Sequence, residues 1–322
     1  MEKLIEIRDL YKEFPIKKGF FNRKVGAIYA VNNINLDIYK GETLGLVGES
    51  GCGKSTTGRC ILGLIPATKG SIKLEGVNII NANTKTLKSL RNRMQIIFQN
   101  PYSSLNPRMT IKEILEEPII IHKAVPRKEL KSRIQELIDM VGLSANILEK
   151  YPHEFSGGQR QRIGIARSLA LKPDFIVCDE PVSALDVSIQ AQIINLLDDL
   201  KRDLGLTYLF ISHDLSVIKY ISDRVAVMYL GEIVELGETK NLFSNPLHPY
   251  TKALLSAISI PDPNADFSKR TLLKGDIPSP ASPPSGCKFH TRCPNVMEIC
   301  KEIPPEKIQK EQDHYVNCHL YD

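Results

Sequence analysis

Between an apolar run and a segment of helical spacing, the chain reads GESGCGKS, Gly48 to Ser55. It fits G-x-x-x-x-G-K-[ST], the pattern of a loop that wraps phosphate. Glycines let Gly48, Glu49, Ser50, Gly51, Cys52 and Gly53 close around an anion with backbone N–H groups turned inward. The positive end of the following helix adds to the attraction. Lys54 is placed to reach the terminal phosphates, Ser55 to ligate Mg2+, and Thr56 opens the helix behind them.

A second chemical element is FIVCDE, four apolar residues ending in Asp179 and Glu180. The end of a buried strand is where α/β sheets hold ligands. Asp179 is expected to support Mg2+ through water, and Glu180 to act as general base or orienter for an attacking water. A third is a set of thiols: four of the seven cysteines, Cys287, Cys293, Cys300 and Cys318, fall in the last stretch, after a Pro-rich run.

These groups must be positioned by a fold, and the periodicity describes one. LIEIRDL and INLDIYKGETLGLVG read as strands, the latter ending in the glycine turn, and STTGRCILGL reads as a helix. SIKLEGVNI (71–79) reads as a hairpin strand, and residues from about 111 to 170 are mainly helical. DFIVCDE and LTYLFISHD are buried-type strands flanking a long amphipathic helix, and RVAVMYLGEIVELG reads as a closing hairpin. Strands alternating with helices imply a largely parallel sheet covered on both faces. A boundary is placed near 240, beyond which NPLHPYTKALL forms a short helix before a Pro-, Ser- and Gly-rich run.

Composition sets the outer limits. The 322-residue chain has ordinary hydrophobic and charged fractions and a mild net charge of +5, which argues against disorder. Its basic runs, such as KTLKSLRNR, read as solvated helix faces rather than a nucleic-acid patch. No apolar run approaches the roughly 20 residues of a membrane span. MEKLIEIRDL lacks a signal-peptide apolar region, so the chain is expected to be cytosolic, where clustered cysteines serve as metal ligands more often than as disulfides.

FSGGQRQR, with Ser156, Gly157, Gly158 and Gln159, resembles the signature sequence of ATP-binding-cassette ATPases, Phe155 standing where Leu is commonest. The family's other marks follow: Gln99 in IIFQNP as the Q-loop, SALD ending at Asp186 as the D-loop, and His213 in ISHD as the switch histidine. The resemblance spans residues 1 to about 238. It implies an α/β P-loop NTPase (RecA-like) core with an antiparallel β subdomain and an inserted helical subdomain at about 100–170, plus a small Cys-containing C-terminal extension from 239 to 322. It implies ATP and Mg2+ as ligands, with Mg2+ on Ser55, Gln99 and Asp179, and His213 sensing the γ-phosphate. Ser156 to Gln159 and Asp186 would contact ATP held by a second ATPase subunit. The adenine partner stays open between Phe14, in LYKEF, and Tyr29 beyond the insertion PIKKGFFNRKVGAI, with Phe14 slightly favoured.

The family includes DNA-repair ATPases, which carry long coiled-coil insertions, and translation factors, which join two cassettes. Neither feature occurs here. PYSSLNPRMT, NPLHPYTKALLSAI and GDIPSPASPPSGCKFHTRCP are similar to segments of ATPase subunits from oligopeptide, dipeptide and nickel importers. That resemblance implies a subunit at the cytoplasmic membrane face. It would pair with a second ATPase chain, as heterodimer or homodimer, with two membrane permeases and, indirectly, an extracytoplasmic binding protein. The expected function is ATP hydrolysis driving uptake of oligopeptides or dipeptides, the alternatives being nickel or another small solute. A redox-responsive, non-catalytic regulator is a rival, opposed by the complete hydrolysis motifs. The tail cysteines have five, six and seventeen residues between them, unlike the close Cys pairs of most zinc sites. By the same resemblance Cys287, Cys293, Cys300 and Cys318 are expected to hold a [4Fe–4S] cluster, with Zn2+ or free thiols as alternatives. His290, His314 and His319 are the substitute ligands, and a metal would staple so small an appendage.

Overall fold

The computed structural model describes residues 2–19, 23–257 and 275–322. Part of the insertion after Phe14 and most of the linker expected between the short helix and the cysteine tail, residues 258–274, lie outside the described residues. The chain runs β1 (Lys3–Lys18), β2 (Arg23–Tyr39), β3 (Thr43–Val47), α1 (Lys54–Ile61), β4 (Lys69–Leu74), β5 (Val77–Asn78), α2 (Thr84–Arg93), β6 (Met94–Ile97), α3 (Pro101–Ser104), α4 (Ile111–His122), α5 (Leu130–Met140) and α6 (Gly157–Leu169). It continues through β7 (Phe175–Asp179), α7 (Val187–Leu204), β8 (Thr207–Ile211), α8 (Leu215–Ile221), β9 (Arg224–Tyr229), β10 (Glu232–Glu238), α9 (Thr239–Ser244), α10 (Pro249–Ser256), α11 (Ile299–Glu302), β11 (Lys307–Glu311) and β12 (His314–Asn317).

Two compact units result. The first comprises Met1–Glu2, Tyr39–Thr43 and Asn81–Ile211. Its strands β6, β7 and β8 pair in parallel, with Met94 opposite Phe175 and Phe175 opposite Thr207. FIVCD and TYLFI are buried along their whole length, as parallel strands covered on both faces must be. The helical part, α3 to α6, is tied by arginines that satisfy carbonyls at helix ends. Arg133 donates to Leu169 O at 2.6 Å, Arg162 to Val141 O at 2.6 Å, and Arg167 to Ser104 O. Thr110 and Glu113 close a reciprocal cap at the start of α4.

The second unit comprises Lys3–Ile38, Leu44–Ile80 and Ser212–Asp322. One of its sheets is antiparallel in the order β2-β1-β4-β5, with Ile5 opposite Leu74 and Ile7 opposite Ile72. Asp37 draws both Lys3 and Arg8, and the two cations hold its carboxyl below the usual range despite its partial burial. In the other strand set β3 pairs in parallel with β9, β10 folds back antiparallel on β9, and β12 then β11 continue from β10. The register Glu235 opposite Val316 makes the last strands of the chain part of the same sheet as the strand leading into the glycine loop.

Candidate active site

β3 delivers the chain to the glycine loop. Gly48 and Gly53 have φ of 153° and 108°, and a Cβ on either would lie 2.1 Å from Met228 O or 2.0 Å from Ala30 O. The loop is therefore folded by backbone lying on backbone, which only glycine permits. Lys54 is 5 % exposed, and its ammonium donates to Gly48 O at 2.7 Å and Glu49 O at 2.9 Å. Those donors hold the loop in a closed ring around the lysine, which is the cradle a phosphate would enter. Ser55 and Thr56 are partly exposed in the first turn of α1, and Thr57 Oγ1 donates to Gly53 O at 3.0 Å.

In the first unit, Asp179 is buried at the end of β7. The next residue, Glu180, takes a left-handed backbone with φ 48°, a conformation that costs a non-glycine residue about 1–3 kcal/mol. It is held there by its N–H on Ile211 O at 3.0 Å and by the Ser183 hydroxyl donating to its own carbonyl at 3.1 Å. Gln99 donates through Nε2 to Glu180 Oε2 at 2.8 Å, so two residues 81 positions apart meet at one carboxylate. Ser156 caps α6: its hydroxyl accepts from Gln159 N, and Gln159 Oε1 accepts from Ser156 N. Gly157 and Gly158 open that helix, and Asp186 caps the start of α7 by position. In the second unit His213 is exposed after β8, between Ser212 and Asp214, the latter capping α8.

Both aromatic candidates for the base are about equally exposed, Phe14 at 37 % and Tyr29 at 38 %. The Lys12 ammonium lies 4.8 Å over the Phe14 ring. Tyr29 adjoins Ala30, whose carbonyl packs on Gly53. Its N–H is donated to Pro280 O at 3.1 Å.

The sequence reading missed a group of supporting residues in the tail. The buried Tyr250 hydroxyl accepts the Glu49 N–H at 2.9 Å. Arg292 grips the Glu49 carboxylate with two bonds, 2.8 and 3.1 Å. Tyr250 stands in an aromatic cluster with Tyr229 and Phe289, centroids 4.7 to 5.4 Å apart. Glu235, 1 % exposed on β10, accepts from Leu247 N, His248 N and His314 Nε2, each at 2.8 Å. His248 caps α10 through Nδ1, and burial pushes its ring down to about 4. Their partners lie up to 243 positions away in sequence, so no local pattern announces them. The only signal was the NPLHPYTKALL segment itself.

The expected [4Fe–4S] cluster on Cys287, Cys293, Cys300 and Cys318, and zinc in its place, is corrected by this arrangement. Among the described residues no group of three or more Cys, His, Asp or Glu side chains is arranged to hold a metal ion. Cys318 joins Leu247 and Val316 in a buried cluster against Tyr321, Cys300 is 8 % exposed, and Cys287 and Cys293 are partly exposed. Burial pushes the Cys287 thiol up to about 12 and the Cys318 thiol up to about 11. The substitute histidines are engaged: His314 on Glu235, His319 between Asp322 and Ile303 O, and His290 Nδ1 at 2.9 Å from Cys287 O. The staple the appendage needed is supplied by β12 on β10 and by the aromatic cluster.

A family model described as ABC transporter matches residues 31–183, and one described as the oligopeptide/dipeptide transporter C-terminal region matches 234–300. The oligopeptide transport ATP-binding protein AppF of Bacillus subtilis is 53% identical over 99% of this chain and 98% of its own. OppF of Salmonella typhimurium, of the same description, is 51% identical over 98% of this chain and 95% of its own. Among solved structures, a dimeric bacterial ABC transporter cassette is similar with TM-score 0.64 and 30% identity, covering 73% of this chain and 98% of that one. A cassette from Clostridium perfringens, part of an ABC transporter complex, gives TM-score 0.65 and 25% identity over 76% of this chain and 92% of its own. The chain belongs to the ABC transporter ATPases, in the group of oligopeptide transport ATP-binding proteins. It is an ATP-hydrolysing subunit, and among the described residues no helix is long and apolar enough to cross a membrane.

Proposed function

We propose that this chain converts ATP hydrolysis into the import of oligopeptides through separate membrane subunits, at the cytoplasmic face of the membrane, with a second ATPase subunit completing its site. The observation that carries the catalytic reading is Glu180, held in a left-handed backbone at the end of β7 with Gln99 on its carboxylate. That geometry supports Glu180 as the group that takes a proton from the attacking water and Gln99 as the residue that orients it. Lys54 and the N–H groups of Gly51 to Ser55 bind the phosphates. Ser55, Gln99 and Asp179 offer the hard oxygen ligands Mg2+ prefers, and the ion would neutralise charge on the phosphate oxygens. His213 senses the γ-phosphate. Ser156, Gly157, Gly158, Gln159 and Asp186 serve the partner's nucleotide, a reading supported by the exposure of Ser156 and Gln159. Tyr29 is favoured over Phe14 as the adenine partner, because its neighbour Ala30 lies on the phosphate loop and the Phe14 face is shared with Lys12.

The test is Glu180→Gln in the assembled transporter. ATP binding should persist while turnover falls about 10²- to 10⁴-fold. Turnover at the wild-type rate would remove Glu180 from the mechanism. Uptake of labelled peptide and of nickel by cells carrying this chain as their only such subunit decides the cargo, nickel alone favouring the alternative.

A further inference from the structure

We propose that the C-terminal tail is a strap on the phosphate loop of its own chain, with Arg292 and Tyr250 acting as positioning residues that set ATP affinity through Glu49. The proposal rests on the reading of Gly48 to Ser55 as the phosphate loop. Glu49 places a carboxylate inside a loop whose N–H groups are collected to hold a polyanion. Left alone, that charge would repel the nucleotide. Arg292 cancels it with a two-pronged grip at 2.8 and 3.1 Å. The Arg292 side chain is 7 % exposed and Glu49 23 %, so water and salt screen the pair weakly.

The second contact fixes the backbone. Tyr250, fully buried, takes the Glu49 N–H at 2.9 Å and is itself wedged between Tyr229 and Phe289. Its helix begins at His248, whose own N–H is bound by the buried Glu235 that also receives His314 from β12. A chain of buried polar contacts thus runs from the last strand to the phosphate loop. The third contact is Pro280 O on Tyr29 N, beside the Ala30 carbonyl that seats Gly53. Three separate points of the tail therefore hold two walls of one loop.

The experiment measures ATP hydrolysis kinetics of the full-length chain in the assembled transporter, with Mg-ATP binding to the same preparations. Arg292→Ala should raise KM for ATP on the order of tenfold, the repulsion left by one unpaired carboxylate at partly screened range, with kcat within about twofold. Glu49→Gln leaves the Arg292 cation unopposed beside the loop and should lower KM for ATP about threefold. The double variant R292A/E49Q should recover most of the lost affinity, because no carboxylate remains to repel phosphate. Tyr250→Phe should raise KM about threefold by freeing the Glu49 N–H. An unchanged KM in R292A, or a double variant as impaired as R292A, would overturn the strap: the arginine would then be packing alone. If R292A does not fold, Arg292→Gln carries the test, since it keeps a polar side chain but not the charge; a KM rise of about tenfold supports the strap, and a wild-type KM overturns it. Lys54→Ala separates the two readings. If it binds ATP as wild type does, the phosphate-loop reading falls; if it loses binding while R292A does not, only the strap falls.

Discussion

Two glycine-rich turns in this chain each open a helix, and they are built on different physics. In the phosphate loop Gly48, Gly51 and Gly53 all have positive φ, 153°, 78° and 108°, and neighbouring carbonyls occupy the space where a Cβ on Gly48 or Gly53 would stand. In the signature turn Gly157 and Gly158 have no positive φ. A Cβ on Gly158 would meet the Ile189 side chain, nearest at Cγ2, 2.5 Å away. Order there comes from the reciprocal cap of Ser156 and Gln159, both exposed. The first turn is shaped from behind by its own chain, backbone and tail together. The second is shaped from within by local hydrogen bonds, which leaves its capping side chains exposed.

Three substitutions put that contrast at risk. Gly53→Ala should have the largest effect. Left-handed strain of about 1–3 kcal/mol adds to overpacking of about 1–3 kcal/mol, so denaturant unfolding should show a loss of about 4 kcal/mol, with nucleotide binding abolished. A loss under about 1 kcal/mol would mean the carbonyls can retreat and the turn is not built as described.

His248, behind the phosphate loop, should come next. The unfolded ring takes a proton near 6.5, while the folded ring, pushed down by burial, resists until about 4. Between those values the unfolded chain binds more protons, so stability falls as pH drops through the window and is fully present above it. Compared with His248→Asn, which can still cap α10, wild type should lose up to about 3 kcal/mol more between pH 7 and pH 4. Parallel stability curves for the two proteins would show that this ring is not kept neutral by the fold.

Gly158→Ala should be the smallest. Its added methyl presses on the branch methyl of Ile189 rather than on a backbone carbonyl, and the gain of about 0.5–1 kcal/mol for Ala over Gly in a helix opposes the strain. Thermal melting should place it within about 1 kcal/mol of wild type. A cost matching that of Gly53→Ala would erase the distinction between the turns.

Much of the scaffold was legible in the sequence, because its signals are local. FIVCD and LTYLFI are short apolar runs, and they became the buried strands β7 and β8. SIKLEGVNI turned at Glu75 and Gly76 into the antiparallel pair β4 and β5. The helical stretch from 111 to 170 contains α4, α5 and α6. The tail was harder. Its cysteines lie close enough in sequence to suggest a shared ligand, but whether thiols coordinate or pack depends on what surrounds them. Cys318 packs with its near neighbours Val316 and Tyr321, but Leu247 comes to it from a distant segment. Equally, nothing near Glu49 in the chain foretold Arg292, and nothing near Glu235 foretold His314.

The sequence by itself determined the family of this protein, because its motifs, GESGCGKS at Gly48 to Ser55, the strand-end Asp179–Glu180 and FSGGQRQR around Ser156, are short runs read directly from residue type and spacing. Only the tertiary structure decided that the cysteine tail is a packed buttress rather than a metal centre, and that it grips Glu49 through Arg292 and Tyr250. Buried pairs of that kind draw their strength from desolvation and exact placement by distant segments. That information belongs to the folded chain and to no window of its sequence.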